Sequence, residues 1–382
     1  MGSRKSTNND TNDRPFRFYD NRQKYLAFIN TTNEKWKIAK RVSQELQYLE
    51  PVPPALRVFD AGMGDATVLT NLMRSMHRNL PTMPFLFVTK EISLEDVRIS
   101  LEKFPDRFVE HPSTVIVITN MNYSEAPSLQ IENNDSGISL NWKEVSLEGD
   151  SSYGYDEQLR DLDSFLIDAW KVKSSKKTGN PIYIKPSVLV LYRKDYSFLL
   201  DNVIPRLGQK LNGYDLIIAS QPWRARINID FKVNKVLMPL SSSLSSKGRL
   251  LVIQSYGQDP SLEMVREVWP DEDPFKVHRK ELIQVFKNKL KDETKNFEFF
   301  STTDDESLFR YDMHVLPDEL HYSIGTSTLF AAWNASIYVN QIEDERLEQI
   351  LQSSYYLEPA LKILKKYNGL WFNDESFVIS KK

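Results

Sequence analysis

The sequence predicts an α/β fold on an open, mostly parallel sheet, and three observations carry that prediction. The apolar run 56–59 stops at Asp60 before a turn containing Gly62 and Gly64, and a helix follows in which Val68, Leu69, Leu72, Met73 and Met76 recur at helical spacing. Four more apolar runs, 85–90, 114–119, 214–219 and 250–254, read as buried strands of the same sheet, separated by stretches of helical periodicity. Near the end of the chain, 297–301 and 375–379 fit an antiparallel close to that sheet. At 382 residues the chain can form one large decorated domain or two, with a real core.

The turn after the first strand reads Asp60-Ala61-Gly62-Met63-Gly64-Asp65-Ala66. Its two glycines lack Cβ atoms, so the backbone can take positive φ and let a ligand lie beside the free N–H groups and positive end of the next helix. A dinucleotide fingerprint would need glycine at position 67, where Thr67 stands. The stretch instead resembles the first motif of the class I S-adenosylmethionine-dependent methyltransferases, with Ala66 replacing a frequent third glycine. That resemblance implies a seven-stranded Rossmann-like sheet with its last strand antiparallel. It also implies S-adenosyl-L-methionine as cofactor, its amino-acid part and ribose against the turn. Glu91, closing the second strand, stands where the resemblance implies a carboxylate gripping both ribose hydroxyls, and Asn120 and Asn122 follow the third strand where it implies the adenine contact. The cofactor set expected is therefore Asp60, Gly62, Gly64, Glu91, Asn120 and Asn122. Asparagines after a strand are equally turn residues.

Outside that core the elements follow in order. Residues 1–14 are polar and too poor in apolar side chains to order themselves, which predicts a disordered tail. Residues 15–54 are expected to form a helical lid, with Trp36, Ala39, Val42, Leu46 and Leu49 repeating at three and four until Pro51, Pro53 and Pro54 end the run. Tyr19, Lys24 and Tyr25 are its candidates for covering the cofactor, as the segment before the first strand often does in this class. The methyltransferase domain is expected over 55–382. Ser93 and Asp96 can form a capping box, and Leu94, Val97, Leu101 and Phe104 make the buried stripe of the second helix. Residues 120–213 separate the third and fourth strands, far more than one crossover helix needs, so 126–195 is read as an inserted substrate cap. Within it, 132–137 is a polar loop, 142–145 a strand, 155–170 a helix, and 170–173 pairs with 182–191 as a hairpin; Lys171, Lys173, Lys176 and Lys177 could greet an anionic substrate or simply be solvated. Helices are expected over 198–207, 232–240 and 281–289, and over 308–317, 328–342 and 343–351 flanking the crevice or an interface.

Composition excludes several chemistries. The chain has no cysteine, which removes disulfides, thiolate zinc sites, cysteine-ligated iron–sulfur clusters and the radical chemistry they support, and also cysteine-dependent methylation of cytosine C5. No metal is expected. A net charge of −3 carries no electrostatic footprint for nucleic acid, although a local patch stays open. No stretch approaches the roughly 20 apolar residues of a membrane span, and a cytoplasmic protein with no membrane partner is expected. Met1-Gly2-Ser3-Arg4-Lys5-Ser6 fits the loose myristoylation pattern and can equally be an expression remnant.

On the acceptor side, Ser220-Gln221-Pro222-Trp223 resembles the (Asp/Asn/Ser)-Pro-Pro-aromatic motif of amino-group methyltransferases, with Gln221 in place of the first proline. That resemblance implies hydrogen bonds from Ser220 and the Gln221 carbonyl to an acceptor nitrogen, and stacking on Trp223. Tyr311 and His314, in the cluster Tyr311-Asp312-Met313-His314, are further catalytic candidates, with His278 and His321 as other possible bases and Arg224 and Arg226 as a possible anion clamp. A small-molecule methyl acceptor, nitrogen by preference, is the reading that follows. Nucleobase or protein amide N-methylation, aminopropyl transfer from a decarboxylated cofactor, and a non-catalytic cofactor-binding scaffold are its alternatives.

Overall fold

The computed structural model describes residues 22–132, 139–174, 181–315, 319–320, 323–353, 355 and 357–382. The expected tail, Tyr19, most of the loop 132–137, Lys176, Lys177 and His321 lie outside the described residues.

The core strands form where the apolar runs stand: β1 Leu56–Asp60, β2 Phe85–Lys90, β3 Thr114–Thr119, β8 Tyr214–Ser220 and β9 Leu244–Ser255. Every residue of β2 and β3 is buried, as strands covered on both faces require. All pairings among these five are parallel. β12, Trp371–Lys381, runs antiparallel to β9, and β10, Phe297–Phe300, closes the edge beyond it. In space these strands read β10-β12-β9-β8-β1-β2-β3, so strand order reverses at β1. The expected parallel sheet with an antiparallel last strand is thus present.

Three further strands enlarge it. β4, Asn141–Leu147, and β7, Ser187–Arg193, belong to the segment read as a cap, but β7 pairs antiparallel with β3 and β4 lies parallel outside it. Much of the insertion therefore extends the sheet sideways, because Ser187–Arg193 is a continuous buried run that can satisfy its backbone only on the open edge of β3. The expected hairpin shrinks to β5, Val172–Ser174, and β6, Pro181–Tyr183. The stretch 308–312, expected to be helical, is strand β11, Leu308–Asp312, paired antiparallel with β12.

Helices cover both faces. On one side α2 (Glu34–Ser43), α3 (Thr67–Asn79), α4 (Leu94–Glu110), α5 (Ser152–Arg160) and α6 (Asp163–Ala169) share a core around Leu69, Leu72, Phe87 and Phe104. The other side holds α7 (Ile229–Lys232), which runs through a π-helical turn into α8 (Met238–Ser242), and later α10 (Arg279–Leu290). The stretch 198–207 buries Leu200, Val203 and Ile204 as expected but forms separate turns, leaving Phe198 96% exposed. Trp36, placed on the inner face by its spacing, is 74% exposed, since α2 turns Ile38, Ala39 and Val42 to the core instead. A third core joins α1 (Arg22–Thr31), α9 (Pro260–Val268), α12 (Thr326–Val339) and α14 (Leu357–Tyr367) around Phe28, Trp333 and Tyr311. α11 (Asp304–Ser307) and α13 (Asp344–Ser353) complete the helices named here.

A buried ion triad pins α2 to the sheet. Glu45 takes Arg41 at 2.6 Å and Arg249 of β9 at 2.7 Å, and Arg41 also donates to Ser376 of β12 at 2.9 Å. Glu45→Ala would leave two buried guanidinium groups without their carboxylate. Denaturant titration should show a loss of about 3–5 kcal/mol.

Candidate functional site

Strand order reverses at β1, and the carboxyl ends of β1, β2 and β8 beside that reversal are the place where open α/β sheets bind ligands in a crevice. The glycine turn forms its floor. Ala61 N–H donates to Ile218 O at 2.9 Å and Met63 N–H to Lys90 O at 3.0 Å, stitching the turn to both neighbouring strands. Gly64 N–H donates to Glu91 Oε2 at 2.6 Å. Gly64 has φ +56, and a Cβ there would lie 3.1 Å from the Tyr25 hydroxyl, so both backbone conformation and space call for glycine. Gly62 does not take the positive φ expected of it; its Cβ position lies 3.8 Å from Ser220 O, which marks how closely β8 passes the turn.

Glu91 is held by the chain's own backbone. Besides Gly64, the Ile92 and Ser93 N–H groups donate to its Oε1 at 2.6 and 2.8 Å. A carboxylate has about four lone-pair sites, so Oε2 keeps one for a ligand hydroxyl, where the resemblance implied a grip on two. Both asparagines are engaged more completely. Asn120 donates to Ala169 O and Lys185 O at 2.8 and 3.1 Å and accepts from Ser187 N–H at 2.9 Å. Asn122 caps its own turn through Ser124 and Glu125. Their amides build the loop, and for the expected adenine contact Asn122 keeps one Nδ2–H.

Carboxylates crowd the crevice. Asp60 is pushed up to about 6 by burial, against the Gly62 N–H and the Lys35 ammonium, and Asp96 to about 6 by burial and the nearby Glu91 charge. Burial likewise raises Glu91. Asp65 moves the other way: burial is outweighed by Lys35 and by Lys103, whose ammonium lies 2.7 Å from its Oδ2. Lys90 turns to the other face, 5.0 Å from the Tyr123 ring, with burial lowering it to about 8.

Beyond β8 and β9 the chain gathers Gln221 and Tyr311, both named from the sequence, around Asp374, which sequence reasoning passed over. Gln221 has φ +48, and its amide donates to both Asp374 oxygens at 3.3 and 3.4 Å while accepting from Ser255 N–H at 3.2 Å. Asp374 is buried and held well above the usual carboxylate range by that burial and by Glu34 and Asp259. Tyr311 joins this cluster, its ring stacked on Phe372 at 5.0 Å and its proton held by burial and by Asp374 and Glu34. These residues come from distant parts of the chain and share no local motif.

Other candidates stand apart. Trp223 is 8% exposed and donates to Gln254 Oε1 at 2.9 Å, packed in the core of the α7–α10 face. His314 is exposed, and its backbone N–H donates to Thr31 O at 2.7 Å. His278 lies 3.5 Å from Glu375, whose carboxylate raises it. Arg226 pairs with Glu272, which also takes Arg346, so it ties the loop after β8 to the helices beyond 340. Of the lid candidates, Tyr25 reaches the turn, whereas Lys24 pairs with Asp344 of α13.

The raised carboxyls set a pH dependence. A folded pKa near 6 against an ordinary 3.8 means that Asp60 stabilises the ligand-free fold fully below about pH 4, a contribution lost as pH rises through 6. Asp60→Asn should flatten the fall in stability between pH 4 and 6, by up to about 3 kcal/mol. Thermal unfolding of both proteins across that window checks it.

No family model matches the sequence, and no curated protein matches it. Among solved structures, a provisionally named sarcosine dimethylglycine methyltransferase from Galdieria sulphuraria is 8% identical, with 92% of this chain and 86% of that one covered and a TM-score of 0.37. The plantazolicin methyltransferase BpumL, solved with a substrate analogue and SAH, is 8% identical, with 95% and 91% covered and a TM-score of 0.35. Phosphoethanolamine N-methyltransferase 2 of Haemonchus contortus, solved with S-adenosyl-L-methionine, is 9% identical, with 96% of this chain and 60% of that one covered and a TM-score of 0.35. Among the described residues no helix is long and apolar enough to cross a membrane. The reversal of strand order at β1, the antiparallel β12 and the glycine turn facing a strand-end acid give this chain a Rossmann-like fold, as the resemblance to the class I S-adenosylmethionine-dependent methyltransferases implies.

Proposed function

We propose that the protein is an S-adenosyl-L-methionine-dependent methyltransferase acting on a small molecule, with nitrogen as the favoured acceptor atom. One observation carries the cofactor: a glycine turn at the switch point, faced by Asp60, Asp65, Glu91 and Asp96. S-adenosyl-L-methionine has no phosphate and is a net cation at neutral pH, so it suits that field, whereas a dinucleotide would bring its phosphates against four carboxyls. When bound it supplies a methyl group activated on a sulfonium sulfur. The residues present fit this ligand: Gly62, whose Cβ position meets nothing nearer than Ser220 O at 3.8 Å, leaves bare backbone in the turn, and Glu91 Oε2 offers its remaining lone pair to a ribose hydroxyl.

The chain's own contribution is mainly alignment, worth about 7–11 kcal/mol when reacting groups are held in register. On the acceptor side Gln221, Asp374, Tyr311 and Glu34 present oxygens to a donor of hydrogen bonds. Burial and neighbouring acids hold the Asp374 carboxyl well above the usual carboxylate range, and a cation beside it favours the ionised form, which suits an amine better than a phosphate or carboxylate substrate.

Calorimetry should show binding of S-adenosyl-L-methionine and S-adenosylhomocysteine and none of NAD; the opposite pattern overturns the reading. Incubating metabolite extracts with isotopically methyl-labelled cofactor and following the label by mass spectrometry should yield a labelled amine, while binding without any labelled product would favour the non-catalytic scaffold. Once the acceptor is known, Asp374→Asn should lower kcat/KM at least ten-fold with S-adenosylhomocysteine affinity within two-fold of the parent. Unchanged kinetics would move the acceptor elsewhere.

A further inference from the structure

Lys35 stands in the second position of α2, and nothing in the local sequence distinguishes it from the other lysines of that helix. Its place is set from two sides. Asn33 N–H donates to Asp312 O at 3.0 Å while Asp312 N–H donates to Asn33 Oδ1 at 2.8 Å, which fixes the start of α2 against β11. Glu45 and Arg41 hold its far end to β9 and β12.

The Lys35 ammonium thereby lies 3.5 Å from Glu34 Oε2 and 5.4 Å from the centre of the Tyr25 ring, and the Tyr25 hydroxyl is the atom nearest the Cβ position of Gly64. Asp60, Asp65 and Asp96 all feel its charge. Burial works against that charge, but Glu34, Tyr25 and Asp65 outweigh it and keep the lysine protonated. The side chain is 22% exposed, so it is not sealed from solvent. The other lysines near the turn are engaged elsewhere: Lys103 bonds Asp65 O, Asp65 Oδ2 and Thr67 Oγ1 at 2.7, 2.7 and 2.8 Å, and Lys90 points to the opposite face of the sheet.

We infer that Lys35 receives the α-carboxylate at the amino-acid end of the cofactor. This rests on the S-adenosylmethionine reading above and adds to it the group that reads that end. A carboxylate entering this crevice otherwise meets Asp60, Asp96 and Glu34, and an Asp65 whose partner Lys103 is already engaged with it, whereas the cofactor's ammonium finds acids to pair with. Lysine over the turn therefore orients the amino-acid end as well as holding it. The same residue separates methyl transfer from aminopropyl transfer, whose decarboxylated donor lacks the group that Lys35 would bind.

The test compares ligands that share the adenosyl part. By calorimetry the parent protein should bind S-adenosylhomocysteine at least ten-fold more tightly than its decarboxylated analogue. Lys35→Gln should weaken S-adenosylhomocysteine at least ten-fold and leave 5′-methylthioadenosine within two-fold, and Lys35→Arg should recover most of the loss. Equal affinity of the parent for the carboxylate and decarboxylated ligands overturns the assignment without recourse to any variant. So does a Lys35→Gln protein that loses both ligands equally or neither. Failure of the parent to bind either S-adenosylhomocysteine or 5′-methylthioadenosine is a separate result, and it overturns the cofactor reading itself.

Discussion

The hydrogen bond from Gly64 N–H to the Glu91 carboxylate is the contact on which the rest of the site depends. It joins the turn after the first strand to the end of the second, and it does so in a buried layer at the top of the sheet, where an unpaired carboxylate would be costly. Two more backbone donors, from Ile92 and Ser93, complete the shell around Glu91. With the acid so held, Gly64 is drawn into its left-handed conformation, and the space left by its missing Cβ is what Tyr25 reaches. α1 can then close over the turn, its Phe28 packed among Tyr311, Tyr338 and Phe372.

Charge is distributed unevenly across this layer. Carboxyls gather above the turn, and burial raises the pKa of several of them, so a nearby positive charge favours their ionised forms. One face carries Lys35 as the balancing cation; on the other, Lys90 and Lys232 lie under the rings of Tyr123 and Trp223, both lowered to about 8 by burial. The two faces therefore differ in what they can recognise. Acids and a tethered ammonium border the turn, whereas aromatic rings over weakened lysines border the loop after β8.

The large insertion between β3 and β8 solves a problem of edges. β3 would otherwise end the sheet with a row of unpaired backbone groups, and β7 and β4 cover it. Among the described residues the connecting part comes near the site: the Trp170 indole donates to Glu91 O at 2.9 Å, and Tyr183 bonds Ile92 O, so the insertion supports the loop after β2 from behind. At the opposite end, Glu272 between Arg226 and Arg346, and Asp344 with Lys24, tie the C-terminal helices to the loop after β8 and to α1.

Local pattern determined the parallel core of this protein. Runs such as Phe85–Lys90 and Thr114–Thr119 are apolar throughout because both faces are buried, and the stripe from Val68 to Met76 repeats with the helix, so each could be read from neighbours a few residues away. The glycine turn and Glu91 were legible for the same reason: their chemistry is local and their spacing is short. Tertiary structure alone decided the remainder. Whether Asn120 faces a ligand or a neighbouring carbonyl depends on where β7 pairs; whether Trp223 stacks on a substrate or packs in a core depends on Gln254, thirty-one residues on. Lys35 nears the turn, and Asp374 meets Gln221, only because α2 and β12 return to the centre of the sheet from distant parts of the chain. No periodicity records such a meeting, since it is fixed by the burial of Glu45 with two arginines and by the antiparallel register of β12 on β9.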